Sequence, residues 1–223
     1  MEGKADYTAK AKLGKKSRTK AIVIIAVISL FVALGVFLTV CNIFVGKYLF
    51  CIGYLIASVL GLCYVVIEIN SIFATFLATD KKHIYMKNWV NGFVPFNLKH
   101  KLGFVREFIP AKTTTVEIKM ADVRECMMGS SSFLKRHCGD NKNFIDKITD
   151  FEKMGVVNKS RIKRMDYFYI ETKSGESCFM PVTGFDEDEL AQIVYQIEKS
   201  SKIEVRCNNH DIVKKCELLR MKI

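Results

Sequence analysis

AIVIIAVISLFVALGVFLTVCNIFVG, residues 21–46, contains no Asp, Glu, Lys or Arg, and neither does YLFCIGYLIASVLGLCYVVI, residues 48–67. An α-helix advances 1.5 Å per residue, so about 20 apolar residues cross a hydrocarbon layer about 30 Å thick. Both stretches meet that length. The first predicts a span over 21–45, with Asn42 as its only strongly polar member. The second predicts a helix that starts at Tyr48 and continues through Glu68, Asn70 and Phe73 to Ala78. Only Gly46 and Lys47 with their neighbours can turn between them, so the spans are expected to form a tight antiparallel hairpin. A cleaved leader is the alternative for the first stretch. Its apolar core exceeds the roughly 7–15 residues of such leaders, and no small-residue cleavage pattern precedes the second stretch. The rest of the chain is too short to wrap both stretches as buried helices of a soluble core.

The flanks orient the hairpin. Lys4, Lys10, Lys12, Lys15, Lys16, Arg18 and Lys20 stand against only Glu2 and Asp6 in residues 1–20, the turn offers Lys47 alone, and Lys81, Lys82 and Lys87 follow the second span. Basic residues in short flanks stay on the cytoplasmic side, so both termini are expected there, in a multi-pass protein of the cell membrane. The whole chain of 223 residues has 34 Lys+Arg against 23 Asp+Glu, a net charge of +11, and its three prolines exclude a disordered or collagen-like class. Cys41, Cys51 and Cys63 lie in the spans. Cys126, Cys138, Cys178, Cys207 and Cys216 lie in the remainder, where a reducing cytosol leaves them as free thiols.

Beyond Asp80 the pattern changes to short alternating segments. Residues 83–90 read as a strand, Asn91-Gly92 as a hairpin turn and 93–98 as the returning strand. Val116-Glu117-Ile118-Lys119-Met120 alternates as a half-buried strand does. Residues 167–172 and 177–181 form a second hairpin around 173–176. Phe144, Ile145, Ile148 and Phe151 predict an inserted helix ended by Gly155, within an insertion spanning about 133–160. Asp186 is an N-cap with Glu189 as its capping-box partner, ahead of an apolar stripe of Leu190, Ile193, Val194 and Ile197. The tail, 201–223, is expected to add a short strand and an amphipathic helix bearing Ile212, Cys216, Leu219 and Ile223.

Antiparallel strands closed by an amphipathic helix, with the run Phe76-Leu77-Ala78-Thr79-Asp80-Lys81-Lys82-His83-Ile84-Tyr85 leading out of the second span, resemble a bacterial group. Its members carry two spans followed by a cytosolic pleckstrin-homology-like (PH-like) domain. The resemblance extends to the 116–123 strand and the 167–199 hairpin and helix, and covers about 21–199. The fold class it implies is a membrane α-helical hairpin plus an α+β domain, a PH-like antiparallel barrel or sheet over 80–200 closed by the C-terminal helix. Residues 1–20 are then a basic tail. The long segment 130–164 departs from the group's plan. The resemblance implies self-assembly or envelope-stress roles more often than phosphoinositide recognition.

No catalytic pattern emerges. His137 and Cys138 are sequence neighbours and do not face each other on a helix. Gly129-Ser130-Ser131-Ser132 lacks the nucleophile-elbow pattern and reads as a flexible loop, and no phosphate-binding glycine loop is present. Cys207, His210 and Cys216, or Cys126 with His137 and Cys138, fall short of the paired spacing of a zinc site, so no metal or cofactor is expected. Asp186-Glu187-Asp188-Glu189 suits a helix N-terminus rather than a cation. Glu68 reads as an interfacial carboxylate, and Gly53, Ala57 and Gly61 repeat at the spacing that lets helices approach closely, within the hairpin or between copies.

The function expected is a non-enzymatic interaction module that binds a protein partner or assembles with itself. The alternative is recognition of anionic lipid headgroups by Lys81, Lys82, Arg161, Lys163 and Arg164. An unrecognised enzyme using His137 or Cys138 is the third possibility. Nucleic acid is not an expected partner, because the aromatics are not interleaved with the basic clusters.

Overall fold

The computed structural model of the chain describes residues 7–88, 114–138 and 165–221. Helix α1 runs over Lys15–Phe44 and α2 over Tyr48–Ala74. Mean hydropathy reaches 3.1 in α1 and 2.3 in the Tyr48–Val66 part of α2, so both are long and apolar enough to cross a membrane. Their large side chains point outward: Leu30 is 72 % exposed, Phe44 86 % and Leu49 81 %. Core helices of a soluble protein would have buried them.

The hairpin turn is set by Gly46, whose φ of +74° is open to glycine at little cost. Lys47 N–H donates to Asn42 O at 2.9 Å and Gly46 N–H to Ile43 O at 3.1 Å, the paired bonds of a Schellman C-cap. Among the described side chains of α2 the buried ones are Cys51, Ser58, Val65 and Ile72, every seventh position, as in a left-handed coiled-coil seam. Small residues let the helices approach. A Cβ on Gly61 would sit 2.6 Å from Val32 Cγ2, and one on Gly35 would collide with Ser58 Oγ. Three polar side chains of the spans are satisfied within their own helices: Asn42 Nδ2 donates to Leu38 O, Thr39 Oγ1 to Gly35 O and Ser58 Oγ to Tyr54 O, each at 2.8 Å.

Helix α2 stops at Ala74, not at Ala78. Thr75 is extended and Phe76–Thr79 is strand β2. An apolar run without turn residues has no period that separates helix from strand; here strand neighbours decide it. One neighbour comes from the segment expected to be a free tail. Ala9–Ala11 forms β1, antiparallel to β2, with Ala9 opposite Thr79 and Ala11 opposite Leu77. Ala9 and Ala11 are buried, small enough to lie against the domain's main helix. The N-terminal 1–20 segment is therefore not a tail over its described part: it enters the domain, then begins α1 at Lys15.

On the other side of β2 lies β3, His83–Asn88, and beyond it β4, Thr114–Lys119, giving a fully antiparallel sheet in the order β1-β2-β3-β4. Asp80 makes the β2–β3 turn, its Oδ1 accepting from Lys82 N–H and His83 N–H at 2.6 Å each. The expected 116–123 strand is two strands: a single 3₁₀ turn, Met120–Asp122, ends β4 and starts β5, Val123–Ser130, in a second sheet. That sheet also holds β6, Asp166–Thr172, β7, Ser177–Pro181, and β8, Val205–Cys207, in the order β7-β6-β5-β8. The β6–β7 hairpin turns on Gly175, φ +84°, as its sequence predicts. Strand β8 runs parallel to β5, unlike every other pair, and among the described residues the two sheets do not close into a barrel.

Gly129-Ser130-Ser131-Ser132 is not a loop. Ser130 ends β5 and caps helix α3, Ser131–His137, its Oγ accepting from Phe133 N–H at 3.3 Å. The rest of the expected insertion, with Phe144, Ile145, Ile148, Phe151 and Gly155, lies outside the described residues, as do Asn91-Gly92 and the 93–98 strand.

Helix α4, Glu187–Ser201, is capped by Asp186, whose Oδ1 accepts from Asp188 N–H and Glu189 N–H at 3.0 and 3.1 Å. Glu189 does not complete the capping box; its Oε2 accepts from Lys12 N–H at 2.9 Å instead. Asp186 N–H donates to Lys12 O, and Gly14 N–H to Gly184 O. The chain entering the first span is thus tied to the start of α4. The buried stripe Leu190, Ala191, Ile193, Val194 and Ile197 joins both sheets in one core with Leu77, Ile84, Met128 and Phe168. The tail belongs to the same core through β8 and helix α5, His210–Met221, which buries Ile212 and Cys216. A smaller cluster of Met127, Leu134, Cys138, Tyr167, Tyr169 and Phe179 covers the far face of the second sheet. The domain therefore extends beyond 80–200 to include β1, β2 and the 205–221 segment.

Candidate functional site

Alternation along the first sheet turns Ala9, Ala11, Leu77, Thr79, Ile84, Met86 and Ile118 inward and leaves a second face outside. The register assembles that outer face from strands far apart in sequence: Lys10 opposite Ala78, Ala78 opposite Tyr85, Phe76 opposite Lys87 and Tyr85 opposite Glu117. Tyr7 lies over it, its ring 5.3 Å from Tyr85 edge-on and 5.7 Å from Phe76. Lys10 Nζ stands 4.1 Å from the centre of the Phe76 ring and 4.8 Å from that of Tyr7, within cation–π range. Partial burial lowers the Lys10 pKa from its ordinary value, and the charges of Lys12 and Lys87 lower it further.

The two ends of this face differ in charge balance. At the end away from the spans, Asp80 Oδ2 accepts from the Tyr85 hydroxyl at 2.9 Å, His83 Nδ1 lies 3.4 Å from the same oxygen, and His83 Nε2 lies 3.7 Å from Glu117 Oε1. Burial pushes the Asp80 carboxyl up, but its hydrogen bonds from Lys82, His83 and Tyr85 together outweigh this and hold it below the usual carboxylate range. Burial, then the bond to Asp80, pushes the Tyr85 hydroxyl up to about 12. At the end where the spans join stand Lys10, Lys12 and Lys87, and the Glu189 carboxylate beside them accepts from the Lys12 backbone N–H and makes no ion pair with their ammonium groups among the described residues. Next to them α1 opens with Lys15 and Lys16 and has no acid in its first turn, although a helix N-terminus favours negative charge. Arg18 lies over the Phe73 ring at 5.2 Å.

Elsewhere in the domain four cations among the described residues are paired with carboxylates. Arg124 meets Glu171 at 3.2 Å, Arg206 meets Glu125 at 3.2 Å, Lys215 meets Glu187 and Asp188 at 3.1 Å each, and Arg220 meets Glu198 at 2.7 Å. Among the described residues Lys10, Lys12, Lys15, Lys16, Arg18, Lys20 and Lys87 make no ion pair.

The residues singled out in the sequence are placed as follows. Lys81 and Lys82 are exposed in the β2–β3 turn, at the end of β2 farther from the spans, about 13 Å along the strand from α2 at roughly 3.3 Å per residue. They do not adjoin Lys10, Lys12 and Lys87. Arg161, Lys163 and Arg164 lie outside the described residues. Of the three small residues of α2, Gly61 meets Val32 across the hairpin, whereas a Cβ on Gly53 would meet nothing and Ala57 is exposed. Glu68 follows the apolar Tyr48–Val66 segment at the domain end of α2.

Cys207 Sγ accepts from Asn209 N–H at 3.4 Å, Cys216 Sγ donates to Ala191 O at 3.5 Å, and His210 is exposed at the start of α5. No group of three or more His, Cys, Asp or Glu is arranged for a metal among the described residues. His137 stacks on Phe133 with its Nδ1 2.9 Å from Phe133 O, while burial pushes the Cys138 thiol up to about 12, away from the thiolate a nucleophile needs. Cys126 and Cys216 are likewise raised by burial. A cleft of about 150 Å³ between β5, β7, α4 and α5 is lined by Met128, Asp166, Gly184, Glu187, Asn209 and Ile212, and burial raises the Asp166 carboxyl there.

Sequence reasoning missed Tyr7, Phe76 and Tyr85 as a group. The alternation Ala9-Lys10-Ala11-Lys12 was the available signal, a period of two where a disordered basic tail would have none. Comparison of the chain with protein-family models, curated proteins and solved structures finds no match.

Proposed function

We propose that this chain is a membrane-held, non-catalytic interaction module. A two-span hairpin fixes a domain of PH-like plan at the cytoplasmic face, and the domain binds a second copy of itself or a partner protein. The observation that carries this reading is β1. The strand that precedes the first span and the strand that follows the second are neighbours in one sheet, with Ala11 opposite Leu77. Further bonds from Lys12 and Gly14 reach the start of α4. A domain joined to its anchor by two paired strands is held in one pose, as a platform for binding requires, and does not swing on a linker.

The PH-like plan is supported by two four-stranded sheets sharing a core with α4; the parallel strand β8 and helix α5 are additions to it. The cytoplasmic assignment is supported by Lys15, Lys16, Arg18 and Lys20 at the domain end of α1 against Lys47 alone in the turn. The test is the oligomeric state of the full chain in lipid nanodiscs and its cross-linking in the native membrane. The reading expects a discrete homo-oligomer or a discrete partner adduct. A chain that stays monomeric at every protein-to-lipid ratio and gives no defined adduct contradicts it.

A further inference from the structure

Lys10 and Lys12 precede the first span and Lys87 follows the second, yet the fold brings both Lys12 and Lys87 into charge range of Lys10, whose Nζ lies over Phe76 opposite Lys87 in the sheet register. A positive flank that only orients the hairpin needs no such convergence, and Lys15, Lys16, Arg18 and Lys20 on α1 already supply that flank. The carboxylates of this face, Asp80 and Glu117, stand toward its other end and engage Tyr85 and His83. Glu189 near Lys12 accepts from the backbone N–H. Lys12 and Lys87 therefore each oppose the charge of Lys10, and an anion placed among them relieves the repulsion.

The position selects the kind of anion. Phe76 and Lys87 are paired within two residues of the end of α2, and Lys12 lies three residues before α1. Tyr and Phe beside Lys is the composition of a membrane–water interface, and this cluster stands on the membrane side of the domain, about two helical turns past the apolar Tyr48–Val66 part of α2. The aromatic rings seat the lysine stems while the ammonium groups reach phosphate. Exposed Phe73 under Arg18 continues the same belt on α2.

We propose that this end of the first sheet, with Lys10, Lys12 and Lys87 around Tyr7 and Phe76, binds the phosphate headgroups of anionic lipids in the membrane that the hairpin enters. The proposal rests on the membrane-held reading above, but not on its self-association or partner binding.

The test uses the full chain in detergent micelles, titrated with phosphatidylglycerol or phosphatidylcholine of the same acyl chains and read by native mass spectrometry of lipid adducts. The wild-type chain is expected to retain phosphatidylglycerol in preference to phosphatidylcholine, less so as salt rises. Replacement K10Q/K12Q/K87Q is expected to weaken phosphatidylglycerol binding about a hundredfold, at roughly fivefold for each charge near the surface. The charge-conserving K10R/K12R/K87R is expected to retain binding, and K81Q/K82Q to leave it unchanged. Circular dichroism of each variant establishes that it is folded; if the triple Gln variant is not, Lys87→Gln alone is expected to show the fivefold loss. Equal phosphatidylglycerol binding by wild type and the Gln variant, or equal retention of both lipids, would overturn the proposal. Displacement by millimolar inorganic phosphate would also overturn it, by marking a site for free phosphate. Any of these outcomes leaves the oligomer measurement intact as a separate test.

Discussion

In the hairpin the positions turned inward include the small or polar Gly35, Cys51, Ser58 and Gly61 along with Val65 and Ile72, while Leu30, Phe31, Phe37 and Leu49 are exposed. In the domain Leu77, Met128, Tyr167, Phe168 and Tyr169 are fully buried, and cations on the surface pair with Glu125, Glu171, Glu187, Asp188 and Glu198. The same chain thus follows two packing rules that meet within a few residues of Thr75. Lipid tails solvate leucine as well as a neighbouring helix does, so the hairpin is held by close backbone approach and not by removing apolar area from solvent. Water does not solvate leucine well, so the domain gathers its large side chains into a core. Strands β1 and β2 cross from one regime to the other.

Cutting at that crossing has the largest expected effect. A fragment of residues 80–223 loses β1 and β2, and with them Ala9, Ala11 and Leu77 from the core. It is expected to show no cooperative thermal transition by circular dichroism, whereas the full chain in micelles does. A fragment that melts cooperatively would mean that β1 and β2 are accessory.

Next in size is Ala11→Leu. Ala11 is fully buried beside α4, and overpacking a filled site costs about 1–3 kcal/mol. The outward-facing Lys10→Gln should stay within about 0.5 kcal/mol of wild type in the same denaturation series. Equal effects at both positions would place β1 outside the core.

The hairpin's rule is tested by Gly61→Val and Gly53→Val. A side chain at Gly61 meets Val32 and should destabilise the hairpin by about 1–3 kcal/mol, while one at Gly53 enters open space and should cost little beyond its helix propensity. Thermal inactivation in micelles separates the two. If Gly53→Val is instead the more damaging, the outer face of α2 packs against another copy.

The smallest effect is expected at Thr79, whose buried Oγ1 has no hydrogen-bond partner among the described residues. Thr79→Val removes an unsatisfied hydroxyl at nearly constant shape, so stability should be unchanged or rise by about 1 kcal/mol in chemical denaturation. A loss of similar size would reveal a partner for that hydroxyl.

What was legible in the sequence follows the same division. The spans could be read from composition alone, because a bilayer demands it. The turn at 173–176, the cap at Asp186 and the stripe of α4 could be read because each depends on residues within one or two turns of each other. Strand β1 could not be read with the same ease: three residues carry little periodicity, and its lysines already had an explanation as orienting charge. Strand β2 reads as helix in the sequence because Phe76-Leu77-Ala78 continues an apolar run, and only pairing with β1 and β3 makes it extended. The basic and aromatic face depends on both strands, so its membership was hidden in register, and the sequence directed attention to Lys81 and Lys82 at the other end of β2.

The most direct measurement is hydrogen–deuterium exchange of the full chain in micelles or nanodiscs, followed over residues 7–14. Thr8 N–H donates to Thr79 O and Gly14 N–H to Gly184 O, each at 2.8 Å, and Lys12 N–H to Glu189 Oε2 at 2.9 Å. If β1 ties both spans into the domain, this segment exchanges as slowly as β2 and β3. Exchange over 7–14 at the rate of an unstructured peptide, with β2 and β3 still protected, would contradict the account.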